Sequence, residues 1–212
     1  MIAPRIAVLD YGAGNLVSID QALTRVGAQV SVVRDPASWI EATPDAVVVP
    51  GVGAAAPAMD RLERRGLVTP LLDWLRADRP FLGVCLGLQL LFEASDEDGA
   101  ATLGVLSGRT IRLLDAPTLP HIGWNQVEQA TGHPLFDGIA DAADFYFVHS
   151  YAGSPNVPGD NVIATTQHGG RFPSAIGRGR TLGVQFHPER SGDDGLRLLA
   201  NFVSLIAAEQ AA

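Results

Sequence analysis

The chain holds one cysteine, Cys85, inside the stretch "RPFLGVCLGLQLLF". An apolar run meets a helix-like run at this point, and Gly83 and Gly87 flank the thiol. Strand, then G-x-C-x-G, then helix is the cysteine form of a nucleophile elbow. So sharp a turn needs small residues on both sides, and it points the side chain out of the sheet. It also sets the sulfur near a helix start, where partial positive charge favours the thiolate. The N–H of the next residue, Leu86, then points to where an oxyanion would form. The chemistry this permits is attack of sulfur on a carbonyl carbon. The competing reading is a small buried hydrophobe, as a lone cysteine in an apolar run often is. A core cysteine, however, does not need the two glycines.

A thiolate nucleophile needs a proton carrier. Of five histidines, His187 is the informative one, in "GVQFHPER". Pro188 biases His187 toward an extended conformation. In an extended segment residues two apart project to one side, so Glu189 lies beside the His187 imidazole. Glu189 can then hold the tautomer and support the protonated form, which gives a Cys–His–Glu set. A strand-end histidine with a surface glutamate is the alternative for H-P-E taken alone. No Cys pair, H-E-x-x-H or carboxylate-rich ligand cluster suggests a metal.

"VVVPGVGAA" supplies a strand ending in Pro50-Gly51-Val52-Gly53. Beside an elbow, such a segment can turn a backbone N–H of Val52 or Gly53 toward an oxyanion. A plain strand-to-loop turn would look the same. "DYGAGN" matches neither G-x-G-x-x-G nor a phosphate-binding loop.

The elements that must position these groups are visible around them. The first half alternates. "RIAVLDY", "QVSVV", "DAVVVP" and "PFLGVC" read as strands. Between and after them come helices. One carries Leu16, Ile19, Leu23 and Val26 at helical spacing, with Gly27 as its stop. A short one opens at Asp35-Pro36, and others lie around "AMDRLERRG", "PLLDWLRADR" and "LGLQLLFEAS". This alternation predicts an α/β fold with a mostly parallel central sheet and helices on both faces. In the second half "GRTIRLL", "HIGWNQVEQ", "DFYFVHSYA", "NVIATTQH", "FPSAIGRG" and "RTLGVQFHP" read as antiparallel additions to the sheet and its edge. A last helix puts Leu196, Leu199, Val203 and Ile206 on one face, with Ser191 as its cap and Asp193 and Asp194 at its positive end.

The bulk properties fit this plan. The chain has 212 residues, 47% of them hydrophobic, and a formal net charge of −8. That suffices for one domain over 1–212 with its own core, and no repeat, low-complexity segment or linker divides it. The fifteen basic residues are all arginine, and the acidic balance argues against nonspecific nucleic-acid binding. "RLERRG" reads as a solvated helix face. A single cysteine suits a reducing compartment. With no export signal and no apolar run long enough to span a bilayer, the expectation is a cytoplasmic protein without a membrane partner.

G-V-C-L-G-L-Q with a distant F-H-P-E resembles the class I (triad) glutamine amidotransferases. More narrowly, the chain is similar to the family of glutaminase subunits of imidazole glycerol phosphate synthase. That match runs in order from "DYGAGNL" through "PGVGA", "GVCLGLQLLF", "PHIGWN", "YFVHSY" and "GVQFHPERSG" to "LLANF". The elbow and H-P-E mark the broad class; "PHIGWN" and "YFVHSY" mark the narrower one. The resemblance implies a flavodoxin-like three-layer fold and hydrolysis of glutamine to glutamate and ammonia, with no cofactor. Carried over by position, it makes Cys85 the nucleophile, His187 the general acid/base and Glu189 its orienting partner. Leu86 and the Val52–Gly53 segment would form the oxyanion hole. Gln89, Glu97, Ser150 and Tyr151 match positions that hold the substrate's polar groups.

The resemblance also implies a partner, a (βα)8-barrel cyclase subunit in a heterodimer, which receives the ammonia to make imidazole glycerol phosphate in histidine biosynthesis. Asn15, Trp124, Asn125, Tyr146 and Arg190 match positions that face it. From the residues alone, core packing is the default for Trp124 and Tyr146. Two positions depart from the pattern: His168 stands where an aromatic Tyr is expected, and Asp96 where Glu is common. Other classes remain open at this point. They are a triad subunit serving anthranilate, pyridoxal phosphate or purine synthesis, a free-standing cysteine amide hydrolase, and a non-catalytic binding module.

Overall fold

A computed structural model describes residues 3–130, 132–154 and 156–210; the ends of the expected 1–212 domain, 1–2 and 211–212, lie outside them. The strands of the first half form where they are expected. They are β1 (Arg5–Leu9), β2 (Gln29–Val33), β3 (Ala46–Gly51) and β4 (Phe81–Cys85). Helices α1 (Leu16–Arg25), α2 (Pro36–Ala42), α3 (Ala55–Arg64) and α4 (Val68–Arg76) lie between them. Local chemistry starts them. Asn15 accepts the Ser18 N–H at the head of α1. Asp35 and Ser38 form a reciprocal capping box at the head of α2, with Pro36 in its first turn.

The helix after Cys85 is shorter than expected. α5 covers only Leu86–Gln89, and the chain then runs through turns into β5 (Ala94–Ser95). Leu90, Leu91 and Phe92 are buried on every side. Their carbonyls accept from Leu103, Val105, Leu106 and Gly104, so they are not left for the next helical turn.

The remaining strands are β6 (Arg109–Arg112), β7 (His121–Gln129), β8 (Ala143–His149), β9 (Tyr151–Gly153), β10 (Val162–His168), β11 (Gly170–Arg178) and β12 (Thr181–Val184). The large sheet has the order β2-β1-β3-β4-β12-β11-β10-β7-β8. β2, β1, β3, β4 and β12 run parallel to one another. β11, β10, β7 and β8 continue the sheet antiparallel.

Two expectations change here. β12 is not an antiparallel addition. The tight reversal at Gly179–Arg180 returns it against β11, and this orients it parallel to β4, with Gly183 opposite Gly83. "GRTIRLL" does not join the large sheet either. β6 pairs with β5 and β9 in a separate three-stranded sheet, after Ser150 ends β8 and releases β9.

The inner parallel strands β1, β3, β4 and β12 are buried on both faces, which explains the apolar runs of β1, β3 and β4, while the edge strand β2 is half-buried. Ile6 and Val8 point into one core with Ile19, Leu23, Leu199 and Phe202, while Ala7 and Leu9 point into the other with Leu62, Leu71 and Trp74. α1 and the final helix α6 (Gly192–Gln210) thus cover one face, and α3 and α4 the other. On α6 Leu199, Val203 and Ile206 are buried as expected, together with Leu198 and Phe202, while Leu196 is half-buried. The Ser191 hydroxyl does not cap α6. It donates to the His187 carbonyl at 2.6 Å and accepts the Tyr146 N–H at 3.0 Å. Among the described residues no helix is long and apolar enough to cross a membrane.

Candidate active site

β3, β4 and β12 are neighbours, and their carboxyl ends open on one edge of the sheet. Gly51 lies opposite Cys85 in register, and His187 follows β12 by three residues. The glycine segment, the thiol and H-P-E, far apart in sequence, therefore emerge side by side. Ligands of open α/β sheets bind at such an edge.

Cys85 ends β4 with φ +53° and ψ −106°, a backbone conformation rare for a residue with a side chain. The flanking glycines are required by close approach. A Cβ on Gly87 would run into the Val49 carbonyl oxygen, and one on Gly83 would sit 2.6 Å from the Gly87 carbonyl group. The elbow thus packs backbone on backbone against β3. Leu86 opens α5, so its N–H belongs to the first turn and has no partner within the helix. Gly53, at φ +95°, faces the sulfur across a cleft. The Val52 side chain is 46% exposed and turns outward. The Tyr11 hydroxyl, fully buried and without a hydrogen-bond partner, presses on Gly51.

His187 donates Nδ1–H to Glu189 Oε1 at 2.8 Å, and both side chains are buried. Its Nε2 is buried and closes no hydrogen bond. Burial opposes a charge on this imidazole. Hydrogen bonding to Cys85 and Glu189, and then their charge, outweigh burial and raise His187 to about 10. The thiol therefore acts on this imidazole partly as a hydrogen-bond partner, although Nε2 and the sulfur do not meet in good hydrogen-bond geometry. Such bonds are commonly long in unliganded sites.

The cleft over the sulfur encloses ≈ 190 Å³, below the ~300–1,000 Å³ of drug-sized pockets and suited to a small metabolite. Cys85, Gly53, Gln89, Glu97, Ser150 and Tyr151 all line it. All four residues matched to substrate contacts therefore reach the same cleft. Burial, then the neighbouring Asp98, pushes the Glu97 carboxyl up. Asp96 instead pairs with Arg109 at 2.8 Å outside the cleft. Pro120, Val148 and His149 complete the lining. Sequence reasoning did not single these out, and it also missed Gln185, whose Nε2 lies 3.5 Å from the Cys85 sulfur. No local signal marks Gln185, since its partners Cys85 and Gln89 lie about a hundred residues away. A separate apolar hollow bordered by Pro80, Leu182, Phe202 and Ile206 lies at the other end of β4 and holds no nucleophile. Among the described residues no group of three or more His, Cys, Asp or Glu is arranged to hold a metal ion.

The residues matched to a partner face divide. Trp124 is 57% exposed on β7, edge-on to Tyr146 of β8, and Arg190 lies over the Tyr146 ring at 4.2 Å. Ile122, on the same face of β7, is 60% exposed. This is a surface cluster, not core packing. Asn125 is on the opposite face of β7, where its amide donates to His121 and to the Gln167 carbonyl. Asn15 is exposed at the head of α1, a helix that touches the Pro188–Arg190 turn.

Comparison with known proteins agrees with this geometry. The family model of the class-I glutamine amidotransferases matches residues 7–205. Imidazole glycerol phosphate synthase subunit HisH of Synechococcus elongatus is 49% identical over 211 residues, covering 98% of this chain and 96% of that one. The subunit of the same name from Symbiobacterium thermophilum is 46% identical over 203 residues, covering 95% and 94%. That from Dehalococcoides mccartyi is 42% identical over 207 residues, covering 97% and 99%. Among solved structures, a glutamine amidotransferase superposes with TM-score 0.74 at 20% identity, covering 96% of this chain and 99% of that one. PurLQS of Thermotoga maritima gives TM-score 0.71 at 17% identity, covering 96% and 99%. At these identities the structures speak for the fold, and the family model and the curated relatives for descent: the chain belongs to the class-I glutamine amidotransferase family.

Proposed function

We propose that this protein is the glutaminase subunit of an imidazole glycerol phosphate synthase, a single-domain enzyme that hydrolyses glutamine and passes the ammonia to a cyclase subunit in histidine biosynthesis. The observation that carries the reading is the convergence of Cys85, on a strained elbow, with the His187–Glu189 pair at one sheet edge. Glutamine enters the cleft with its side-chain amide toward the sulfur. The Cys85 thiolate attacks the amide carbon, and the oxygen takes up charge facing the Leu86 N–H and one from Val52–Gly53. His187 protonates the departing nitrogen, and ammonia leaves. Water, deprotonated by the same imidazole, then cleaves the thioester to glutamate and free thiol. Glu189 holds the Nδ1–H tautomer throughout, so that Nε2 faces the reacting atoms.

Gln89, Glu97, Ser150 and Tyr151 are assigned to the substrate's polar groups. Glu97, the acidic one, suits its ammonium. The names of the curated relatives support a partner subunit. The exposed Ile122, Trp124 and Arg190 with the half-buried Tyr146 support a docking face beside the catalytic edge, since aromatic residues and Arg are enriched at interface centres. A (βα)8-barrel cyclase in a heterodimer is the partner proposed, and a cytoplasmic setting goes with it. The test is glutamate release from glutamine by wild type and Cys85→Ala, alone and with barrel cyclase plus its nucleotide ligand. Stimulation by the partner and abolition in the variant are expected. Full activity without partner, or activity that survives Cys85→Ala, refutes the reading.

A further inference from the structure

The hydrogen bonds beneath the cleft form one chain whose polarity is set by a single atom. The Tyr151 carbonyl oxygen can only accept. His149 Nδ1 lies 2.9 Å from it, so Nδ1 carries the proton. Burial, then the neighbouring His121, lowers His149 to about 3, which keeps it neutral and makes its Nε2 an acceptor. That Nε2 is 3.1 Å from His121 Nδ1, so His121 is the donor there. Burial and the stacked His168, 3.8 Å away between ring centroids, lower His121 to about 4. Neutral His121 therefore accepts at Nε2 from the Asn125 amide at 3.1 Å, and the amide's other proton goes to the Gln167 carbonyl at 3.0 Å.

The same Tyr151 carbonyl also accepts from Gln89 Nε2 at 2.7 Å, and this fixes the Gln89 amide. The second Gln89 proton goes to Gln185 Oε1 at 3.1 Å. Gln185 is then left with its Nε2 toward the Cys85 sulfur, at 3.5 Å. It is fully buried, so no water competes for either end of its amide. A reversed Gln185 would set a carbonyl oxygen against both the sulfur and its own charge.

We propose that Gln185 is a further catalytic residue, an N–H donor to the attacking sulfur, and that Gln89, anchored on the Tyr151 carbonyl, is the positioning residue that fixes which end of its amide faces that sulfur, while His149 and His121 order the far side of the same carbonyl. The proposal rests on Cys85 being the nucleophile. Gln185 acts on the sulfur from one side and the His187 imidazole from another. The donor stabilises charge on sulfur both before attack and when the thioester is cleaved. Because Gln89 acts through the Gln185 amide, its effect on the sulfur is one of direction and not of charge.

Two measurements test this. The first is the tautomeric state of the imidazoles in the wild-type chain, from nitrogen-15 histidine correlation spectra at pH 7. His121 and His149 should both carry the proton on Nδ1; an Nε2–H signature at either overturns the chain. The second is the rate of Cys85 alkylation by iodoacetamide at pH 7. Gln185→Leu should slow it about ten-fold, the worth of one hydrogen bond to a charged group. Gln89→Leu, which frees the Gln185 amide to turn, should slow it comparably. A wild-type rate in Gln185→Leu overturns the proposal, and a wild-type rate in Gln89→Leu overturns the positioning role. If Cys85→Ala retains glutaminase activity, the nucleophile assignment fails, and the proposal falls with it. An intact nucleophile with unaltered alkylation in the variants refutes the donor chain alone.

Discussion

His187 and Glu189, two residues apart across Pro188, meet at 2.8 Å between Nδ1 and Oε1, while the other end of each side chain is buried without a hydrogen-bond partner. The pair is not formed along an extended run as expected: His187 is extended, at φ −104° and ψ 94°, but Pro188–Arg190 make a 3₁₀ turn, and this turn brings Glu189 back to the imidazole. An imidazole bound on one side and open on the other is arranged to move a proton at the open side. Glu189→Gln keeps the size and loses the charge. It should lower kcat by about 10²–10⁴-fold, the usual worth of a positioned proton carrier. It should also change the alkaline limb of stability. Raised above its usual 6.5 to about 10, His187 contributes stability that is fully present below about 6.5 and is lost as pH rises through about 10. Urea unfolding between these limits should show a smaller loss in the variant. An unchanged kcat would sink the assignment.

The elbow stores strain that can be measured. Cys85 holds φ +53°, where a side chain costs of the order of 1–3 kcal/mol and glycine almost nothing. Cys85→Gly and Cys85→Ala both lack the sulfur and should both be inactive. By urea unfolding, Cys85→Gly should nevertheless be about 1–2 kcal/mol more stable than Cys85→Ala. Equal stabilities would mean that the corner is relaxed.

What the sequence displayed, and what it hid, follows from the range of the physics involved. β1, β3 and β4 were legible because strands buried on both faces read as nearly uninterrupted apolar runs, and the edge strand β2 by its alternating Val and polar residues. α2 was legible because Asp35, Pro36 and Ser38 act within one turn. The end of α5 at Gln89 was not, since it is decided by Leu103 to Leu106 taking the carbonyls of Leu90 to Phe92. The orientation of β12 was hidden too, because it depends on which strand its reversal meets. At the site, Cys85, His187 and Glu189 could be singled out by local motifs, the elbow and the proline-spaced pair. Gln185 and His149 could not, because each is defined by a partner distant in sequence. The facing of Asn125 depends likewise on the pleat of β7.

Close backbone approach makes another prediction. A Cβ at Gly87 would overlap the Val49 carbonyl oxygen, a main-chain atom that no rotamer change can move. Gly87→Ala must therefore separate β3 from the elbow. It should destabilise by about 3 kcal/mol or more, at or above the upper end for overpacking. Glutaminase activity should fall with it, because the Gly51–Gly53 segment rides on β3. Gly170→Ala is the control: nothing lies within 4 Å of its Cβ, and surface changes of this kind stay within about 0.5 kcal/mol. The two variants should differ widely in urea midpoint, and equal midpoints would count against backbone contact as the reason for G-x-C-x-G.

The neutral histidines make stability fall in mild acid. Unfolded, His121 and His149 would titrate near 6.5; folded, burial lowers them to about 4 and about 3. Below pH 6.5 the unfolded chain binds protons that the folded one refuses, so their contribution is fully present above 6.5 and is lost as pH falls toward 4. Each proton of difference is worth about 1.4 kcal/mol per pH unit. With both imidazoles refusing a proton, the slope should approach ~2.7 kcal/mol per unit between about pH 6 and 4.5, above the range where most carboxylates titrate. His149→Asn removes one of the two, and its slope should be close to half. The measurement is urea unfolding of both proteins at several pH values in that window. Parallel lines would place the acid sensitivity elsewhere, whereas a halved slope assigns it to the imidazole whose Nδ1–H must stay on the Tyr151 carbonyl.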